Sequence, residues 1–333
     1  MREGRIDLAE LGQSAFLADV GPSDRNILRL VLGLMAGIVA SFAVLLVILV
    51  LAGVGWVLYE AGKGVPMGDI QSKLGMLTDP NFKPTYGSTL AIMAFLAAAN
   101  GTFFGGIVVI LALINRRKLK SYVTAARRFR WRMLGLGLAM FTLVVGPVLV
   151  LDVLLSGKAP ELPLMTLTQS IPQRAIYVVV ALVCLTIAAG VEELLCRGWL
   201  LKQTAAWTRN FWILAIVNGL LFSLMHLPDI DPNAFIGRAL MGMGFVYMTL
   251  RTGGIEFSTG AHAANNLLLI LFVQTPPMGV PPPEKFNPVS VLPTVLAVLA
   301  YVLIAEIVAR WRPLRDWGRS VVELAPEEAE AFA

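Results

Sequence analysis

Cysteine, histidine and charge are all scarce in this sequence. Two cysteines occur among 333 residues, Cys184 and Cys196, and both fall in one apolar run. That placement excludes a disulfide framework. Charged residues make up 15% of the chain, where a soluble domain carries roughly 25%. The 57% that is hydrophobic, with a mean hydropathy of +0.73, exceeds what one soluble core of this size could enclose. Several short motifs are missing too. There is no HExxH, no GxSxG and no GxxxxGK[ST], which excludes a zincin helix, a nucleophile elbow and a P-loop. No sequence repeat and no soluble insert is visible.

What is present is a series of apolar runs, at about residues 28–59, 89–115, 133–155, 176–201, 211–227, 234–250, 256–273 and 289–309. Lengths near 20 residues predict membrane-spanning helices, so the expected fold is all-α and polytopic, with about eight transmembrane helices. The first run is too long for a signal-peptide core and is expected to persist as a helix. With the N-terminus inside, the segments on the inner side collect most of the bases, including Arg116, Arg117, Lys118, Lys120, Arg127, Arg128, Arg130 and Arg132. The positive-inside rule then favours both termini inside and a multi-pass protein of the cell (inner or plasma) membrane. The same bias accounts for the net charge of +5 by topology and anionic lipid rather than by nucleic acid. The chain divides into a cytoplasmic segment at 1–27, helices 1–3 with their loops at 28–175, a core at 176–275, and a Pro-rich loop, last helix and tail at 276–333.

Ionisable groups stand out against this background. The fourth run contains Glu192, Glu193 and Arg197, and a charge at a helix centre costs roughly +2.5 to +3.5 kcal/mol on insertion scales. Glu193 and Arg197 are spaced i,i+4 and can pair on one helix face. Glu192 is turned about 100° away and is left for proton transfer. Both histidines of the chain lie in later apolar runs. His226 follows Phe222 by four residues, and His262 precedes Asn266 by four. Taken singly, each group has a plain structural reading, as an interhelical hydrogen-bonder or a buried pair. Three helices carrying such groups together favour a reaction site. Gly237, Gly242 and Gly244 read as points of close helix packing, as do Gly101, Gly105 and Gly106.

The order EExxxR (Glu192, Glu193, Arg197), FxxxH (Phe222, His226) and HxxxN (His262, Asn266), each on its own membrane helix, resembles the CPBP family, which includes the CAAX prenyl endopeptidase of type Rce1 and bacterial Abi proteins. The resemblance covers about residues 176–275. It implies an intramembrane endopeptidase acting on a membrane-associated, prenylated or leader peptide. Glu192 and His226 would activate water, His262 and Asn266 would stabilise the oxyanion, and Glu193 and Arg197 would shape the site. Zinc stays open as a cofactor, with Glu192, His226 and His262 as candidate ligands. Two other functions fit the same residues: a non-catalytic immunity or assembly partner in the membrane, and a proton-coupled transporter. One expectation is strained. Counted at 1.5 Å per residue, Glu192 and His262 lie about 11–15 Å from the cytoplasmic ends of their runs but His226 lies about 22 Å from its own, so His226 reaches Glu192 only if a helix tilts or a boundary moves.

Overall fold

The computed structural model describes residues 8–69, 71, 84–156, 160–275, 283–311 and 313–314. All eight apolar runs are helices. We number them α1 (Ile27–Gly62), α2 (Tyr86–Ile114), α3 (Trp131–Ser156), α4 (Ile171–Ala205), α5 (Phe211–Leu224), α6 (Pro232–Thr252), α7 (Glu256–Phe272) and α8 (Pro288–Arg310). No strand occurs among the described residues; a single bridge joins Thr124 and Gly254. The protein is an all-α, multi-pass membrane protein. Five helices, α1 to α4 and α8, are long and apolar enough to cross a membrane. Helices α5 and α7 fall short in length and α6 in apolarity, so the eight runs are eight helices but not eight equal spans. Most of the Pro-rich connector and most of the acidic tail lie outside the described residues.

Local chemistry sets the helix starts. Asn26, Thr85, Ser170, Asn210, Asp231 and Asn287 each accept a backbone N–H of the first turn, which satisfies donors that the helix cannot. Proline stands in the first turn of α4, α6 and α8, where its missing N–H costs nothing. Helix α6 stops at Gly253, whose φ of +76° suits glycine.

Helix α7 packs on α3 and α4, α6 on α5 and α8, and α3 on α8. The first half of α2 lies along α4 and its second half along α1. Helix α1 is the outlier. Of its 36 residues only Gly33, Gly37, Ser41 and Glu60 are buried, so it touches the bundle mainly through its first half and turns the rest to lipid.

Residues 8–25 form three short helical turns fastened across the end of α4. Phe16 and Leu17 are buried in the main core cluster. Arg209 donates to the carbonyls of Leu17 and Val20, Arg25 to that of Ala206, and Gln203 to that of Asp24. Asp19 pairs with Lys202, and Asp24 pairs with Arg117 at 3.0 Å. The described part of the expected cytoplasmic segment, residues 8–25, is therefore a packed cap.

Two helices contain π-turns, at Gly101–Gly105 in α2 and at Leu194–Leu200 in α4. Such turns insert an extra residue into a helix and recur at functional sites. Here the two touch each other, one starting just after Asn100 and the other just after Glu193.

Candidate active site

Arg197 is fully buried between two aromatic rings, its guanidinium carbon 4.4 Å from the Phe222 ring centre and 5.0 Å from that of Phe245. Its Nη1 donates to Glu193 Oε1 at 2.9 Å and its Nη2 to the Gly242 carbonyl at 3.2 Å. The spacing-based pairing of Glu193 with Arg197 is thus observed. Gly242 makes it possible. A Cβ there would lie 2.8 Å from Gly219 Cα and 3.3 Å from Arg197 Nη2, so a side chain would push α6 off α5 and off the arginine.

His262 is 4% exposed and stacks on Phe245, which stacks in turn on Tyr301. Its Nδ1 lies 3.0 Å from Glu193 Oε1. Glu193 is a carboxylate neighbour of Arg197, so the Nδ1 proton is placed on the imidazole and donated to the glutamate. Nε2 then points toward Glu192 Oε2, 3.6 Å away. Glu193 Oε1 thus holds both Arg197 and His262, and His262 carries the chain of contacts on to Glu192. This linkage between α4 and α7 was not legible from spacing, because the partners are 69 residues apart.

Glu192 keeps 13% of its side chain exposed, whereas Glu193 and Arg197 show none. Its Oε1 accepts a hydrogen bond from Asn100 Nδ2 at 3.1 Å. Asn100 escaped the sequence reading. The signal was present, since an amide in the middle of the apolar run 89–115 is costly in lipid without a partner.

His226 lies in the turn after α5, its Nδ1 2.9 Å from the Phe222 carbonyl. The carbonyl can only accept, so Nδ1 carries the proton and Nε2 is left as an acceptor. Its ring meets the edge of Phe222, whose ring also meets His262. Helix ends explain the axial match. Helix α4 runs on to Ala205, four residues past the apolar run, which sets Glu192 about 20 Å from that end, against about 22 Å for His226 from the start of α5. Asn266, one turn beyond His262, accepts from the Asn265 amide at 3.3 Å and has no bond to the other site residues. The structure therefore brings Glu192, Glu193, Arg197 and His262 into one network, joins His226 to it through Phe222, and leaves Asn266 beside it.

The turn that carries His226 leads to a charged rim. Arg238 donates to Asp229 at 2.7 Å. Burial pushes the Asp229 carboxyl up, but the Arg238 guanidinium and the Asp231 amide outweigh it and hold it below its ordinary value.

Among the described residues no group of three or more His, Cys, Asp and Glu side chains is arranged to hold a metal ion. Glu192, His226 and His262, the candidate zinc ligands, are not gathered into such a group.

Fold and site define a multi-pass helical membrane protein with ionisable groups joined inside the bundle. Residues 174–268 match the family model described as type II CAAX prenyl endopeptidase Rce1-like, in agreement with the motif resemblance. The chain is also similar to the uncharacterized protein YyaK of Bacillus subtilis (strain 168), with 29% identity over 173 residues, 50% of this chain and 56% of the relative. The chain thus spans about half the length of that relative. No solved structure matches.

Proposed function

We propose that this protein is an intramembrane endopeptidase that hydrolyses a peptide bond of a membrane-associated, prenylated or leader peptide in the cell membrane, with Glu192 as general base. The observation that carries this reading is the Glu192–His262–Glu193–Arg197 network, buried inside the helices of the segment similar to Rce1-like endopeptidases. An interior glutamate with residual access, held beside an imidazole, is suited to take a proton from water.

In the reaction, Glu192 removes a proton from water while the hydroxide oxygen bonds to the scissile carbonyl carbon. His226 Nε2 accepts from the same water and holds it in place. The carbonyl electrons move to oxygen. That oxyanion is stabilised by donors placed where charge develops, and these are His262 and Asn266. His262 offers a ring N–H, and the Glu193 contact on Nδ1 holds the ring in place. The C–N bond then breaks, and the amine leaves with the proton Glu192 took up. Arg197 keeps Glu193 in place between the two helices.

The test compares wild type with Glu192→Gln in the native host, at equal membrane levels, by mass spectrometry of membrane-protein termini. Termini present with wild type and absent with the variant support the proposal, and the lost site names the substrate class. Identical termini, with the wild-type phenotype retained, replace it with a non-catalytic role in the membrane.

A further inference from the structure

We infer that Asn100 of α2 is a positioning residue for this chemistry, fixing the Glu192 carboxylate so that one oxygen faces His262 and the other is held away from it. The inference rests on Glu192 acting as the base.

Asn100 Nδ2 donates to Glu192 Oε1 at 3.1 Å, while the other oxygen, Oε2, lies 3.6 Å from His262 Nε2. The two oxygens of one carboxylate are thereby given different surroundings, and rotation about the last side-chain bond, which is otherwise broad, is stopped. Glu192 has no hydrogen bond to Arg197, which is committed to Glu193 and Gly242. Among the described residues, the amide of α2 is the hydrogen-bond donor to Glu192.

The scaffold holds Asn100 from both sides. Ahead of it, Met93 packs with Tyr177, Ala181 and Leu185 of α4. Behind it, Ile107, Val108 and Leu111 pack with Leu195 and Trp199 of α4. Asn100 sits between these two apolar clusters, at the point where α2 enters its π-turn and opposite the point where α4 enters its own. An amide so placed can serve simply as interhelical glue, and the experiment separates that role from positioning.

A synthetic peptide spanning the cleavage site found with wild type and lost with Glu192→Gln serves as substrate for the full-length protein in detergent. Asn100→Leu removes the donor, Asn100→Asp removes it at constant shape, and Asn100→Gln keeps an amide. Misplacing a catalytic group costs up to about 100-fold in rate. The expected result is a kcat lowered about 10- to 100-fold by Leu and Asp, an unchanged KM, and a rate largely restored by Gln. A second readout needs no turnover. The infrared difference between wild type and Glu192→Gln isolates the Glu192 carboxylate stretch, and Asn100→Leu is expected to shift that band. Wild-type kcat in the Leu and Asp variants, or an unshifted band, overturns the role of Asn100 alone. A loss that Gln does not relieve and that follows the thermal midpoint also overturns it, in favour of glue. Termini indifferent to Glu192→Gln overturn the protease reading, and the positioning role with it.

Discussion

Arg130 and Glu256 meet through three bonds, and Arg197 and Glu193 meet through one. In the first pair the Arg130 backbone N–H and Nε donate to Glu256 Oε1, Nη2 donates to Oε2 at 2.6 Å, and Nη1 goes to the Thr252 carbonyl. Its donors and both oxygens are used. In the second pair Arg197 Nε and Glu193 Oε2 have no hydrogen-bond partner among the described residues, although both atoms are buried, and Glu193 Oε1 is shared with His262. A buried charge pair repays its desolvation only when its remaining groups are satisfied. The closed pair is a fastening, tying the loop before α3 to the start of α7. The open pair keeps unused donors and acceptors beside an imidazole, which is what a site that changes its hydrogen bonding during a reaction requires.

The sharpest way to break this comparison is to cut each pair in turn. Glu256→Ala leaves Arg130 buried without its partner, and removing one member of a buried pair costs about 3–5 kcal/mol. The expected outcome is a large fall in the thermal midpoint and in the amount of protein recovered from membranes, with the rate per folded molecule unchanged. Glu193→Gln keeps the shape and one acceptor for Arg197 but loses the charge. It is expected to lower kcat more than it lowers the thermal midpoint. If both variants act on stability alone, the distinction between fastening and working pair fails. A smaller effect comes from Gly242→Ala, which inserts a methyl against Gly219 and Arg197 Nη2. Overpacking of this kind costs about 1–3 kcal/mol, measurable as a lower midpoint in detergent, and the shift of Arg197 should reduce the rate as well.

The smallest effect belongs to the rim. Asp229→Asn removes a partly exposed pair with Arg238 worth under about 1 kcal/mol. Because the folded Asp229 carboxyl titrates below its ordinary value, its contribution is present above the unfolded value and fades as pH falls through the folded one. Wild type and variant should therefore differ slightly in stability near neutrality and converge in acid, as thermal melts across pH would show.

Sequence reading reached the helices and half of the network. Spacing located Glu193 and Arg197 on one face because both lie on one helix, and period alone suffices for that. It could not find Asn100 against Glu192, His262 against Glu193, or Arg130 against Glu256, since each joins helices far apart in the chain and nothing local marks the partner. The cap made by residues 8–25 was hidden for a related reason. Its anchors, Phe16 and Leu17, form too short an apolar stretch to signal burial, and the clamps on it, Arg117, Lys202 and Arg209, look like ordinary membrane-flanking bases. The extension of α4 to Ala205 was lost because its last turn contains Lys202 and Gln203, polar residues that hydropathy reads as a loop but which the cap satisfies.

The π-turn from Leu194 to Leu200 also bears on how the gene can change. A π-turn is one residue more than an α-helix needs, so losing a single codon in that stretch would let α4 close into regular geometry. The helix would gain by it. The residues on either side would keep their faces, because the turn already absorbs the extra residue: Glu192 and Glu193 would still face Asn100 and His262 and Lys202 would stay on Asp19, while Arg197, inside the turn, would move relative to Glu193. Most single-residue deletions in a membrane helix spoil the helix. Here the deletion mends it, so a deletion scan across 194–200 should recover folded protein with Glu192 still on Asn100, and a loss of activity among those variants would trace to Arg197.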